Sequence, residues 1–335
     1  MSRAYDNAAD GRYQQGGRRN LFINGDFQVW QRGTSFSSSG NIYTADRWMS
    51  LGSGATMATT QESFTIGQTD VPGEPEYYLQ IDTATGNNNA RLEQRVEDVR
   101  TGAGQSITVS FWAKGTNPTG GEFSVGFQQN FGSGGSTAVD TFATTITLTS
   151  SWQKFTRTVT LPSISGKTIG TGSSLIMRIL QPDGDTGTGA WELNIALAQL
   201  ELGNVATPFE HRSYGEELAL CYRYFVQYNS TNQSVFDVIL HAQVKDPNDA
   251  WGAWSPPVPL RASPTYSASD TSKVCVIYGN NSQSTAPGVI IRGFTPERIL
   301  LNLEPTSSVL TVGEMCALGF TNSTSGEYIR FDAEL

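Results

Sequence analysis

Apolar and polar residues alternate over many short stretches of the chain, which is the pattern of antiparallel β-strands with one buried face. In residues 106–113, Ile107, Val109, Phe111 and Ala113 share one face and Trp112 lies on the other. Similar stretches cover residues 77–81, 91–96, 122–128, 152–161, 174–181 and 191–200. About eight strands in this part of the chain predict a jelly-roll β-sandwich.

The chain before these strands divides into two parts. Residues 1–19 are polar and glycine-rich without periodicity, so we expect an extended arm. Residues 20–30 predict a strand that is interrupted by a turn at Asn24-Gly25. Trp30 and Trp48 are expected in the core of the domain that follows.

A short helix is predicted at residues 213–225, where the chain leaves the jelly roll. Ser213 and Glu216 have the spacing of a capping box, in which each side chain bonds the backbone N–H of the other residue. The apolar residues that follow at helical spacing are Leu218, Cys221, Tyr222 and Phe225.

A second antiparallel sandwich is predicted at residues 226–335. Its strand candidates are residues 235–244, 273–278, 288–293, 298–303, 308–312, 315–320 and 327–331. The fold class is therefore all-β, with an arm (1–19), a jelly-roll domain (20–212), a linking helix (213–225) and a C-terminal sandwich (226–335).

Composition excludes several classes of function. The formal net charge is −9, which argues against nucleic acid as a partner because phosphate binding needs clustered Lys and Arg. No apolar stretch approaches the roughly 20 residues that span a membrane, and no signal peptide is visible. Three irregularly spaced cysteines (Cys221, Cys275, Cys316) are expected as buried free thiols, which fits synthesis in a reducing cytoplasm.

Catalytic motifs are absent from the sequence. The two histidines, His211 and His241, are far apart, and no nucleophile or zinc motif accompanies them. Acidic groups that a glycosidase could use are Asp183 with Asp185, which suit a turn, and Glu93, Glu97 and Asp98, which suit a solvated strand edge. We expect no enzymatic activity.

A structural calcium ion is the one cofactor that the sequence leaves open. Asp26 near the first strand and Glu201 on the last could meet, with Asp46 as a third oxygen ligand. The alternative is that Asp26 caps the Asn24-Gly25 turn while Glu201 faces solvent.

Four aromatic residues are candidates for stacking on a sugar ring. Trp112 faces away from the apolar side of its strand, and Trp251 and Trp254 lie in the predicted loop DPNDAWGAWSPP, with Tyr266 nearby. The alternatives are that Trp112 belongs to the core and that the loop tryptophans pack between subunits.

Several motifs together resemble a family of bacteriophage virion proteins described as tail fibres or structural proteins. They are NLFINGDFQVWQRG with YTADRW, AQLELGNVATPFEHRSYGEELALCYRYF, WSPPVPLRASPTYS and the final FDAEL. The opening NGDF stretch also resembles the first strand of jelly rolls found in carbohydrate-binding modules.

The resemblance implies a non-enzymatic tail fibre or tail-tip adhesin that binds host-surface glycans. It further implies a homo-oligomer, expected as a trimer, that docks to other virion proteins through residues 1–19. Such a protein would be made in the host cytoplasm and released by lysis. The alternatives are a capsid decoration or head-fibre protein, a glycan-depolymerising tail spike, and a carbohydrate-binding module outside a virion.

Overall fold

The computed structural model describes residues 18–52, 56–83, 90–117, 122–182, 189–231, 238–279, 282–286, 288–321 and 325–335. The chain divides into two compact units, one comprising the residues up to Glu217 together with Leu335, the other Leu218–Glu334. Most of the predicted arm, the Asp183/Asp185 pair and the start of the strand predicted at residue 235 lie outside the described residues.

The described part of the first unit is built from β-strands. In chain order they are β1 (Ser35–Ser38), β2 (Asn41–Tyr43), β3 (Trp48–Leu51), β4 (Met57–Ser63), β5 (Tyr77–Thr83), β6 (Arg91–Glu97), β7 (Ser106–Thr116), β8 (Phe123–Asn130), β9 (Val139–Ile146), β10 (Gln153–Thr160), β11 (Ser174–Pro182) and β12 (Trp191–Leu202).

These strands form two six-stranded antiparallel sheets. Sheet A has the order β1-β4-β5-β12-β7-β10, and sheet B has the order β2-β3-β6-β11-β8-β9. From β5 to β12 the chain passes repeatedly from one sheet to the other, which is the connectivity of a jelly roll. The apolar faces of both sheets meet in one core that includes Trp48, Phe111, Phe123, Met177 and Leu193. The predicted all-β sandwich is confirmed.

Residues 20–30 do not form the predicted strand. Asn24 adopts a left-handed φ of 59°, and Leu21 N–H donates to the Leu200 carbonyl at 2.8 Å. Gly25 passes so close to β12 that a Cβ there would lie 2.1 Å from the Ala198 oxygen. The segment is therefore an irregular strap along β12, because side chains as well as backbone groups satisfy its hydrogen bonds.

The helix α1 (Tyr214–Tyr222) begins with the predicted capping box. Ser213 N–H donates to the Glu216 carboxylate at 2.9 Å, and Glu216 N–H donates to the Ser213 hydroxyl at 3.3 Å. The helix is shorter than predicted, since Phe225 already begins a strand.

The described part of the second unit contains ten further strands. They are β13 (Phe225–Thr231), β14 (Val238–Asp246), β15 (Asp249–Trp254), β16 (Thr265–Ala268), β17 (Val274–Tyr278), β18 (Ser282–Thr285), β19 (Gly288–Thr295), β20 (Arg298–Glu304), β21 (Met315–Phe320) and β22 (Ser325–Asp332).

Two antiparallel sheets of these strands enclose the second core. Sheet C has the order β13-β22-β16, and sheet D has the order β18-β17-β21-β14-β15-β20-β19. Both sheets contribute buried residues, among them Phe331 from sheet C and Leu318 from sheet D. The strand predicted at residues 308–312 is wrong: the segment is irregular, and Leu310 N–H donates to the Pro247 carbonyl at 3.2 Å.

Two further features bear on chemistry. Within the described residues, no helix is long and apolar enough to span a membrane.

The three cysteines are free and buried, and burial raises the pKa of Cys275 to about 12 and that of Cys316 to about 11. Because the thiolate is the reactive form, burial keeps both of these thiols unreactive at neutral pH.

Candidate functional site

The outward face of sheet A carries the candidate site. Along β7, residues that alternate with the buried core side chains point outward, and Trp112 is one of them. Trp112 pairs across the ladders with Ala196 of β12 and Lys154 of β10. Since directly paired side chains have Cβ atoms about 5 Å apart, Trp112 stands between a small side chain and an ammonium group.

A β-bulge in β12 shapes the floor beside Trp112. The pairing of β12 with β7 shifts between Ala196 and Gln199, and Leu197 adopts a left-handed φ of 48°. Both Ala196 and Leu197 therefore pack on the outward face with Trp112. Backbone strain of this kind costs about 1–3 kcal/mol and is concentrated at functional sites. The strap holds the bulge in place, because Ala198 N–H donates to the Gly25 carbonyl at 2.7 Å.

Two loops rise above this floor and close a groove of about 430 Å³. Pro72 and Gly73 from one loop and Phe209 and His211 from the other meet in its wall. The rings of Phe209 and His211 meet edge to face at 5.0 Å. Gly73 has a φ of +89°, and a Cβ there would lie 3.2 Å from His211 Nε2, so this wall depends on glycine. The volume falls within the range of small-ligand sites.

Unused hydrogen-bonding capacity and positive charge distinguish this groove. Trp112 is half-buried, and its indole N–H donates to no group among the described residues. Lys154 is exposed and has no carboxylate within ion-pair distance in the described part of the chain. A half-exposed tryptophan with a free N–H can stack on an apolar ligand face and donate a hydrogen bond at its edge.

A second aromatic cluster covers the sheet next to the groove. Phe64, Tyr78 and Trp152 pack together with ring centroids 4.9–5.3 Å apart. The ammonium of Lys114 lies 5.1 Å from the Trp152 ring centroid and 5.9 Å from that of Tyr78. Burial raises the pKa of Tyr78, and the nearby carboxylate of Glu62 adds to this effect. These rings are engaged with one another and support the groove from the side.

Of the four aromatic residues predicted to bind sugar, Trp254 and Tyr266 belong to the second core. The segment predicted as a loop is the β14–β15 hairpin, and Trp254 is 3% exposed on the inward face of β15. Its ring stacks on Phe331 at 3.9 Å, and its N–H donates to the Tyr228 hydroxyl at 3.1 Å. Tyr266 also packs on Phe331, and burial raises its pKa. Trp254 is buried and therefore closed to a ligand from solvent, which corrects its assignment, whereas Tyr266 is half-buried with its ring against Phe331.

Trp251 lies on the opposite, outward face of β15 and is half-buried. Its indole N–H donates to the Asp249 carboxylate at 3.0 Å, and the ammonium of Lys245 lies 4.5 Å from its ring centroid. The N–H and one ring face are thus already occupied within the chain.

The three carboxylates predicted to bind calcium have separate partners. Asp26 accepts a hydrogen bond from the Gln28 side chain, and burial raises its pKa. Glu201 is buried rather than exposed and accepts from Thr207 N–H at 3.0 Å. Asp46 accepts from Gln31 N–H at 3.0 Å. Among the described residues, no group of three His, Cys, Asp or Glu could hold a metal ion, so the structure does not assemble the predicted ligand set.

The acidic cluster near residue 93 is structural. Glu93 is buried and lies 3.1 Å from both Arg91 and Arg95, with Arg178 at 3.9 Å. Asp98 pairs with Arg100 at 3.0 Å. The carboxylate of Glu93 is therefore engaged by neighbouring guanidinium groups within its own sheet.

Most of the groove was missed at the sequence level. The alternation along β7 does place Trp112 on the outward face, as predicted. Lys154 was available from the same reasoning, because the alternation of β10 puts it opposite the core face. Phe209, His211 and Leu197 carried no sequence signal, since a loop and a bulge bring them to the groove.

No protein-family model matches the chain, and no relative was found among curated proteins. Similar solved structures include a cyclase from Fischerella sp. TAU (12% identity, 57% of this chain and 100% of that one, TM-score 0.36). Another is a xylan-binding CBM22 domain from Paenibacillus barcinonensis (16% identity, 51% of this chain and 95% of that one, TM-score 0.30). A third is the enzymatically active domain of bacteriophage CBA120 tailspike protein 4 (13% identity, 55% of this chain and 21% of that one, TM-score 0.33). The chain thus spans about a fifth of that tailspike. Similarities this weak assign neither a family nor a function.

Proposed function

We propose that the groove over Trp112 binds a glycan, and that the chain is a non-enzymatic virion protein that attaches to the host surface through it. The observation that carries the proposal is a half-buried tryptophan on the floor of a groove of about 430 Å³, whose indole N–H has no acceptor among the described residues. Sugar rings have an apolar face that stacks on aromatic side chains and hydroxyl groups that need donors and acceptors at the edge.

The virion context rests on the resemblance of the sequence motifs to phage fibre and structural proteins. A homo-oligomer, expected as a trimer, would present several grooves to the same surface. Linked sites can raise the overall affinity by 10²–10⁴-fold without any new contact. A shallow groove with modest affinity for one sugar segment would therefore suffice for attachment.

The non-enzymatic part of the proposal is supported by the chemistry of the groove. No Asp or Glu is among the described residues that line it, whereas glycoside hydrolysis uses a pair of carboxyl groups. The groove offers one ammonium, one imidazole and an indole N–H, which are groups that bind and orient a ligand.

The test is a screen of the full chain against an array of bacterial surface polysaccharides, followed by calorimetry with the best binder. Trp112→Ala should weaken binding about 30-fold, because truncating a central aromatic contact costs about 2 kcal/mol. The matched control is Trp251→Ala, which removes a half-buried outward tryptophan from the second unit and should leave the affinity unchanged. Loss of binding in Trp251→Ala with full binding in Trp112→Ala would contradict the proposal.

A further inference from the structure

We propose that the groove selects acidic sugars, with a sugar carboxylate bound at Lys154; this rests on the proposed glycan function of the groove. The chain as a whole is acidic, with a net charge of −9. The groove differs from the chain as a whole, because no acidic side chain is among its described lining residues and the ionisable ones are Lys154 and His211.

Lys154 is positioned for such a contact by the sheet. It lies on β10, the edge strand of sheet A, directly across the ladder from Trp112. A ring stacked on Trp112 would therefore bring a substituent on its edge within reach of the ammonium group. Within the described residues Lys154 has no ion-pair partner, so a ligand carboxylate would not have to displace one.

The acidic residue closest in sequence to the groove is turned away from it. Glu210 stands between the two wall residues Phe209 and His211. Its carboxylate accepts from Arg19 N–H at 3.0 Å and Asn20 N–H at 2.9 Å, and it pairs with Arg212 at 3.0 Å. These three contacts hold the Glu210 carboxylate against Arg19, Asn20 and Arg212.

Charge is distributed unevenly across the outward face of sheet A. Glu62 on β4 and Glu192 on β12 lie near Tyr78 and add to the rise of its pKa. Lys154 is on the opposite edge of the sheet. Lys114 also lies beside Tyr78, 5.9 Å from its ring centroid, so the two carboxylates share their side of the face with a cation. Lys154 has no carboxylate partner among the described residues, so we expect the ligand carboxylate to point toward β10.

The experiment uses an array in which oligogalacturonate, hyaluronan oligomers and sialyllactose each stand beside the same sugar with its carboxyl group reduced. The unmodified chain should bind its acidic ligand about tenfold more tightly than the reduced form, as expected for one hydrogen bond to a charged group. The preference should shrink at high salt, since the contact is solvent-exposed. Lys154→Met should abolish the preference, so that the variant binds the acidic form and the reduced form with equal affinity.

The control variant is Lys167→Met, which removes an exposed lysine of the same unit whose ammonium lies 5.8 Å from the Phe131 ring, outside the groove. It should keep the full preference. Equal, Trp112-dependent binding of acidic and reduced sugars would overturn this inference and leave the glycan function standing. A preference that survives in Lys154→Met would also overturn it. Absence of binding to every sugar, acidic or neutral, would count against the glycan function itself.

Discussion

Each unit of the molecule places a half-buried tryptophan on the outward face of a β-sheet, and the two differ in what surrounds them. Trp112 lies on the floor of a groove, and its indole N–H has no acceptor in the part of the chain that the structure describes. Trp251 donates its N–H to Asp249, and Lys245 covers one face of its ring. The N–H of Trp112 is therefore available to a ligand, whereas the N–H of Trp251 is already bonded to Asp249 in its own hairpin.

The difference shows that exposure alone does not identify a binding aromatic residue. Both side chains are half-buried, so burial ranks them equally. The loops carrying Gly73 and Phe209 create a concave surface over Trp112. Trp251 also lines a cavity, of about 410 Å³, but its N–H and one face of its ring are already engaged by Asp249 and Lys245. A sugar-binding site needs a ring together with walls and unused polar groups.

The largest effect that separates the two units concerns stability. Trp254→Ala should lower the free energy of unfolding by about 3–5 kcal/mol, because it leaves a cavity beside Phe331 and an unpaired Tyr228 hydroxyl. Trp112→Ala should cost about 1 kcal/mol, since the side chain is half-exposed and its N–H is unbonded. Urea unfolding of both variants measures the difference. Equal losses would mean that Trp112 is a core residue.

The smallest expected effect concerns the capping box of α1, the helix through which the chain passes from the first unit to the second. Ser213→Ala removes one half of the capping box and should destabilise α1 by about 1 kcal/mol. Amide hydrogen exchange in the helix should then accelerate about fivefold, while the groove keeps its affinity for glycan. Unchanged exchange in α1 would show that the cap contributes nothing, and a loss of glycan affinity would show that the groove depends on the helix.

Sequence patterns predicted the features that depend on neighbouring residues, namely strands, the sides that their residues face, and the helix cap. Alternation predicted most strands of both sandwiches and the outward position of Trp112, and residue spacing predicted the Ser213–Glu216 box. Trp251 and Trp254 are three residues apart, so on a strand they must face opposite sides, one inward and one outward. Treating that segment as a loop placed a core residue at the surface.

Other features depend on contacts between distant parts of the chain. The bulge at Leu197 is held by the strap, where Gly25 bonds to Ala198, more than 170 residues away in sequence. The irregular course of residues 20–30 has the same cause. The closeness of the first and last strands predicted that Asp26, Glu201 and Asp46 share an ion, but each has a different hydrogen-bonding neighbour.

The most direct test of the glycan function is an NMR titration that observes the indole N–H signals of the seven tryptophans. The free N–H of Trp112 should shift on addition of the glycan selected by the array, while the N–H signals of Trp251 and Trp254 should stay in place because both already donate within the chain. Assignment follows from the single variants Trp112→Phe and Trp251→Phe. A glycan that binds and shifts Trp251 while Trp112 remains unmoved would contradict the proposed site.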